Sequence, residues 1–512
     1  MSRVKTNNDV TTAAFLARNP GRAADITLTS AAGAFYVTML LGLLFVFVWD
    51  WLRAGHFLAI LYSFYVFVIL FRLVTVAMAL VGRPEIVVTP EEIASKSIQN
   101  WPCYTILVPL YREPEVAAKI VRYLDLLDYP RDRLEVLLLL ESDDSLTRTA
   151  LTSIPLPCYF RFIDVPDTAP RTKPKACNWG LREAKGEFIV VYDAEDRPDP
   201  DQLKKAVIAF HKVPERIICL QAKLSYYNPA QNRLTRWFTI EYAAWFDLYL
   251  PGLYRLALPI PLGGTSNHFR RHVLDEIGGW DPYNVAEDCD LGIRLHRMGK
   301  RTAMLDTTTW EEANSRLTNW IRQRSRWIKG YIQTHLVHTR LPVRTLRELK
   351  LLGTLSFLMS VGGHSLLLLL NPLFLLAAIV YLFQAGRKVL AGTTVAELVH
   401  RTLQGTIAMG AIENGYTILS SVTTLLFLAN FLFILLNLLG CMKRRLGGIY
   451  LIMALASPAY WILISAAAWK GLLQLVRRPH YWEKTDHGLF VEPESQPADQ
   501  RDAGHAGANR YW

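Results

Sequence analysis

Apolar runs long enough to cross a bilayer bracket this chain, and they restrict its fold more than any other feature. Ala31 to Leu52 reads AAGAFYVTMLLGLLFVFVWDWL and Phe57 to Leu80 reads FLAILYSFYVFVILFRLVTVAMAL. Each has about the 20 residues that a spanning helix needs. Three further apolar regions come late in the chain, Leu351 to Phe383, Gly415 to Gly440 and Gly447 to Val476. Hydrophobic residues make up 51% of the 512 residues and charged ones only 20%, a balance that together with such runs predicts a membrane protein. The net charge of +11 fits basic residues beside membrane segments and around anionic phosphates, so nucleic acid is not expected as a partner.

Basic residues orient the late regions. Lys443 to Arg445 mark a cytosolic end, so the first region crosses outward and the second returns. The third then starts inside, holds Ser457-Pro458 in its middle and ends in the basic run VRRPHYWEK. It reads as a Pro-broken hairpin, or as a span joined to an interfacial helix. Residues 1–30 are polar and read as a cytosolic segment without a signal peptide, and 491–512 read as a disordered tail. The six cysteines, Cys103, Cys158, Cys177, Cys219, Cys289 and Cys441, form no CxxC pair and suit reduced thiols in a cytosol-facing domain.

Residues 82–347 have a different character, with short β-rich strings alternating with polar helical stretches. TILVPLY (Thr105 to Tyr111), LEVLLLLES (Leu134 to Ser142) and EFIVVYDAED (Glu187 to Asp196) are the clearest strands. Segments such as EPEVAAKIVRYLDLL separate them, which predicts an α/β domain with a mostly parallel sheet and crossover helices.

Ligands of open α/β sheets bind at the carboxyl edge, where the third strand ends in Asp193, Glu195 and Asp196. Two carboxylates one residue apart can hold a hard divalent cation that neutralises a diphosphate. KPKACNWGL places Lys175 and Asn178 at the start of the preceding helix, within reach of donor phosphates. NVAEDCDLGIRLHRMG sets Glu287 and Asp288 at another helix start. WIRQRSRWIKG presents Gln323, Arg326 and Trp327 near one helical face, where Arg suits a phosphate and the indole a sugar ring.

TILVPLYRE, KPKACN, YDAED, AED and QRSRW, in this order from about Pro102 to Gly330, resemble the inverting family 2 glycosyltransferases of the processive, membrane-embedded type. That group includes cellulose, curdlan, chitin and hyaluronan synthases. The resemblance implies a cytosolic GT-A domain, a Rossmann-like mixed sheet, inserted between transmembrane helices in the inner membrane. It further implies Mg2+ or Mn2+, a UDP-sugar donor, a growing polysaccharide as acceptor, export across the bilayer, and separate export or regulatory subunits.

Residue roles follow from the same resemblance. Asp193 and Glu195 match the metal motif, leaving open whether Glu195 or Asp196 is the second ligand. Asp288 would be the general base beside Glu287, with Ala286 where the family has Thr. Pro109, Tyr111 and Glu113 fall in the first donor-site strand, and ESDD offers Glu141, Asp143 or Asp144 to the uridine, Glu141 being favoured at the strand end. Gln323, Arg326 and Trp327 would serve the diphosphate and the acceptor sugar, and Thr265 and Ser266 in GGTSNHFRR an acceptor-site loop. Residues 477–490 resemble a gating segment, with Trp482, Lys484 and Thr485 closing over the nucleotide. The motif spellings lean to UDP-glucose and a β-glucan. UDP-N-acetylglucosamine, or transfer of one sugar to a lipid carrier, are the alternatives.

The charge pattern makes a direct prediction. Cysteine labels near Arg387 react from outside, whereas labels near Arg444 and Lys484 react only once the membrane is opened. External labelling at Lys484 would contradict the topology.

Overall fold

Strings such as LEVLLLLE carry no polar alternation, so they need cover on both faces, which is the environment of a parallel strand. The computed structural model describes residues 9–27, 55–96, 101–392 and 431–490, with isolated positions in 29–42 and 394–400. The expected span from Ala31 to Leu52, most of Gly415 to Gly440 and the tail 491–512 lie outside the described residues.

Eight strands form one sheet: β1 (Tyr104–Leu110), β2 (Leu134–Glu141), β3 (Phe160–Val165), β4 (Phe188–Val191), β5 (Arg197–Pro198), β6 (Ile217–Tyr226), β7 (Asn267–Arg270) and β8 (Arg301–Glu311). Their order is β3-β2-β1-β4-β7-β6-β8-β5. The first four run parallel, as do β6 and β8, but β7 lies antiparallel between β4 and β6. The sheet is therefore mostly parallel and mixed, with only β7 and β5 running against the other strands. NHFR is too short to show a period in the sequence, and the Gly-rich stretch before it hides a strand at the centre of the sheet. Its register sets Asn267 opposite Val191, which brings GGTS against the end of β4.

Helices on either side bury this sheet. Lys173–Glu183 packs so closely that a Cβ on Gly180 would stand 2.8 Å from Leu139 and 2.9 Å from Leu107. Leu317–Thr339 approaches the start of Glu287–Arg297 through Gly330, where a Cβ would meet that of Ala286 at 2.3 Å. A buried polar chain joins the same two helices: Asp290 pairs with Arg294 at 3.3 Å and with His338 at 3.0 Å, and Arg297 donates to His338 Nδ1 at 2.7 Å. Arg297 continues to Glu348 at 2.7 Å, which also receives Arg22 of the N-terminal segment.

Three described helices are long and apolar enough to cross a membrane: Ser63–Leu80 within Gly55–Leu80, Pro342–Pro372, and Ser457–Arg477. The first late region begins earlier than its apolar run, since Pro342–Phe357 continues through a π-turn at Leu358–Gly363 into His364–Leu390. The Gly447–Val476 region breaks at Ala456 into Gly448–Leu455 and Ser457–Arg477. Arg444 before it bonds Asp247 and Ser225, and Tyr481 and Glu483 after it bond Lys329 and Ser325. Both ends are thus tied to the α/β domain.

Overpacking a close helix contact destabilises by about 1–3 kcal/mol. Gly330→Ala is accordingly expected to lower the thermal midpoint measured by scanning fluorimetry in detergent. Gly447→Ala, where an added Cβ meets nothing within 4 Å, leaves it unchanged.

Candidate active site

The turn after β4 sorts three acids by direction. The Asp193 N–H donates to Asp196 Oδ2 at 2.7 Å, and the Thr265 hydroxyl stands between that oxygen and the Val191 carbonyl, 3.0 Å away. Asp196 is fully buried, with Oδ2 the internal acceptor of the turn and Oδ1 without a partner, and it does not line the cavity. Burial, with Asp193 and Glu195 adding repulsion, holds its carboxyl above the usual range. Asp193 and Glu195 are left facing a single cleft.

Each of those two meets a cation. Lys173 pairs with Asp193, donates to Gly264 O at 2.7 Å and lies 4.0 Å from Glu287. Burial works against its charge, yet Asp193 and Glu287 keep its pKa above the ordinary lysine value. His487 Nδ1 stands 2.9 Å from Glu195. Against burial, Glu195 and then Glu113 raise His487 to about 9.

Glu287 and Asp288 enter the same cleft from the first turn of their helix. The Cys289 N–H donates to Asp288 Oδ1 at 2.7 Å and fixes the carboxylate. A Cβ on Gly264 would sit 3.6 Å from Asp288 Oδ2 and 4.0 Å from Asp193 Oδ2, so Gly264 keeps open the space between these acids. Burial raises both members of the pair, and Glu287, repelled further by Asp288, reaches about 7.

Gln323, Arg326 and Trp327 line the opposite wall. Gln323 accepts from Asn314 at 3.0 Å. Trp327 packs beside Phe238, with the Arg324 guanidinium 4.9 Å from its ring centre. Arg326 lies 4.2 Å from the Trp482 ring centre, and its buried Nε has no hydrogen-bond partner. A guanidinium left so, facing carboxylates, is prepared for an anionic ligand.

From the ends of β1 and β2, Pro109, Tyr111, Glu113 and Glu141 reach the cleft, and burial lifts Glu113 and Glu141 to about 7. Several expected residues do not. Lys175 is fully buried and donates to Glu141 at 3.0 Å, Pro166 O at 2.7 Å and Thr168 O at 3.0 Å. Asn178 exchanges two hydrogen bonds with the Trp280 backbone. Asp144 caps Ser145–Thr152 through Thr147 N and receives the Arg112 N–H. Asp143 sits outside, 3.7 Å from Arg112 and 3.6 Å from Arg171. Ser266 turns to Thr309, and Thr265 reaches the cleft with its hydroxyl already engaged.

The residue missed in KPK is Lys173. The helix starts there, so Lys173 and Lys175 lie two apart and point to different sides. Glu311 was missed as well: it lines the cleft from the end of β8, with its carboxyl raised by burial and then by Asp196, Glu195 and Asp193.

Residues 478–490 form a strap over the opening. Lys329 holds Tyr481 O at 2.7 Å, Asn319 exchanges hydrogen bonds of 3.0 and 2.8 Å with Asp486, and Glu312 accepts from Gly488 N and Phe490 N at 2.7 Å. Trp482, Lys484, Thr485 and His487 look inward from it. Lys484 donates to Arg112 O, and the buried Thr485 hydroxyl has no partner.

Among the described residues no group of three or more His, Cys, Asp or Glu converges to enclose a metal ion. Asp193 and Glu195 supply two hard oxygen donors beside an excess of negative charge, and Mg2+ is commonly held by one or two carboxylates completed by substrate phosphates. The donor set therefore fits such a cation.

Comparison with known proteins completes the picture. A solved mannosyltransferase from Pyrobaculum calidifontis, in complex with GDP-Man and Mn2+, is 17% identical, with 67% of this chain and 92% of that one covered at a TM-score of 0.36. The probable glycosyltransferase YdaM of Bacillus subtilis is 28% identical over 46% of this chain and 56% of its own length. A beta-monoglucosyldiacylglycerol synthase of Synechocystis is 30% identical over 49% of this chain and 53% of its own. The chain thus spans about half the length of the curated relatives it matches. The model of the family described as glycosyl transferase family group 2 matches residues 188–470, more than half of the 512 residues, and the chain belongs to that family.

Proposed function

We propose that this family 2 enzyme transfers glucose from UDP-glucose, with inversion, to an acceptor hydroxyl that approaches from the membrane end of the cleft. The convergence of Asp193, Glu195, Asp288 and Arg326 on one cavity carries this reading. Asp288 takes the proton of the acceptor hydroxyl as its oxygen bonds to the anomeric carbon. The bond from that carbon to the diphosphate breaks, and its electron pair leaves on the UDP oxygen. Arg326 would neutralise that charge, while Asp193 and Glu195 would hold Mg2+ or Mn2+, which supplies Lewis-acid stabilisation of the diphosphate when bound. Glu141 and Tyr111 face the nucleoside, and the strap with Trp482, Lys484 and Thr485 shuts water out and opens for exchange.

Beyond Trp327 the wall continues through Tyr242, Trp245, Phe246 and Tyr331 to His364 and Ser365, which lie within the candidate span Pro342–Pro372. Aromatic faces interspersed with polar groups suit sugar rings, so a growing β-glucan, exported between the helices of a multi-pass inner-membrane protein, is the acceptor that the lining favours. A single transfer to a lipid is the second reading, favoured by relatives named beta-monoglucosyldiacylglycerol synthases. The cytosolic placement of the domain rests on the basic runs at its membrane boundaries.

Radiolabelled UDP-glucose and UDP-N-acetylglucosamine, each given to protein reconstituted with bacterial lipids, test the reading. Label in an alcohol-insoluble polymer from UDP-glucose is expected. Label in the organic phase would establish the lipid reading, and no transfer from either donor would refute both. Because burial raises Asp288 and a protonated base cannot accept a proton, kcat/KM should begin to fall with decreasing pH already above the ordinary carboxylate range near about 4. Asp288→Asn should lower the rate by about 10²- to 10⁴-fold while the thermal midpoint is kept.

A further inference from the structure

Beside the Trp327 indole stands a cation that the mechanism does not use. Arg324 precedes it by three residues on Leu317–Thr339 and so shares its face of the helix. The guanidinium carbon lies 4.9 Å from the Trp327 ring centre, 4.4 Å from that of Phe238 and 5.5 Å from that of Trp320. Both terminal nitrogens are taken by Glu241: NH1 donates to Oε1 at 2.9 Å and NH2 to Oε2. Tyr460 closes the set, its hydroxyl accepting from Arg324 NH2 at 3.1 Å and donating to Glu241 Oε2 at 2.8 Å. The Arg324 Nε is buried without a hydrogen-bond partner, so aromatic faces complete the surroundings of the cation.

This arrangement separates Arg324 from Arg326, two residues on. Arg324 lines the cleft with a side chain only 9% exposed and its charge already matched, so an anionic ligand would have to displace Glu241. A fork closed on a carboxylate has no free pair of donors for a phosphate, but it is a rigid plane. The ring packed against that plane is held with it. Tyr460 extends the clamp to Ser457–Arg477, a candidate membrane span, where its ring packs 5.3 Å from Trp320 and stacks 5.6 Å from Trp237. The same span meets the Trp327 helix again at Gly471, where a Cβ would stand 2.7 Å from the Ser325 carbonyl oxygen. The span therefore has no slack along that helix.

We propose that Arg324 is a positioning residue, locked by Glu241 and Tyr460, that fixes the plane of the Trp327 indole against the acceptor. The proposal rests on the reading of Trp327 as part of the acceptor wall, and it makes a membrane helix part of acceptor alignment. Fluorine NMR of the full chain carrying 5-fluorotryptophan reads the indole without reference to turnover, the Trp327 signal being the one lost in Trp327→Phe. Glu241→Gln and Tyr460→Phe should each shift or broaden that signal while UDP affinity stays unchanged. In turnover, each should pass a larger share of the donor's sugar to water instead of acceptor. Transfer should fall by up to about 10²-fold in Glu241→Gln, the cost of displacing a reacting group by about 1 Å. In a Trp327→Ala background Glu241→Gln should add nothing, because its effect runs through the indole. An unmoved Trp327 signal, a loss of UDP affinity, or an undiminished effect of Glu241→Gln in Trp327→Ala would overturn the proposal. A moved signal with normal transfer in both Glu241→Gln and Trp327→Ala would overturn instead the acceptor reading on which it rests. Should Glu241→Gln fail to give monodisperse protein, Tyr460→Phe, which removes a single hydroxyl, decides the same points.

Discussion

Repulsion among buried carboxylates organises this molecule. Glu113, Asp193, Glu195, Glu287, Asp288 and Glu311 face one cleft, and Lys173, Arg326 and His487 are the cations set directly among them. Burial raises Glu113, Glu287, Asp288 and Glu311, so holding them charged in the cleft is costly. Such an arrangement persists only if the scaffold holds it. The scaffold is the β4–β7 pairing that seats Gly264 between Asp193 and Asp288, together with the close contact of Gly330 on Ala286. A divalent cation with a diphosphate would add the missing charge, which links donor binding to the electrostatics of the cleft.

The helices near the membrane belong to the same device. Ile464 of Ser457–Arg477 and Leu368 of His364–Leu390 form part of the cleft wall. Tyr460 donates to Glu241 at 2.8 Å, and Glu241 in turn holds Arg324 one helical turn before Ile328. The cleft wall is thus built jointly by the α/β domain and the apolar helices, so under the proposed function an acceptor from the membrane would need no separate path. Both ends of the Gly447–Val476 region return to the domain for the same reason: its second half supplies wall residues, and the strap that follows it covers the opening.

Much of this was legible in the chain because the informative residues stand in short ordered strings. The alternation of apolar runs with a β-rich middle located the domain, and YDAED, AED and QRSRW marked the residues that meet in the cleft. What stayed hidden was direction. Asp196 and Glu195 are neighbours in sequence, and only the Asp193 N–H and Thr265 hydroxyl decide that Asp196 turns inward. Lys173 and Lys175 differ by helical phase, which depends on where the helix starts. Glu311 and His487 enter through tertiary packing of a strand end and a strap, for which no local pattern exists. The antiparallel β7 was masked by its four-residue length.

The central claim is that Asp193 and Glu195 bind the donor through a divalent cation, with Asp196 shaping the turn behind them. Isothermal titration of UDP into the purified protein, with and without Mn2+, measures this most directly. The account predicts binding that requires Mn2+, is lost in Asp193→Asn and Glu195→Gln, and survives in Asp196→Asn at a lowered thermal midpoint. UDP binding of equal strength without any divalent cation, or a silent Glu195→Gln beside a dead Asp196→Asn, would contradict it.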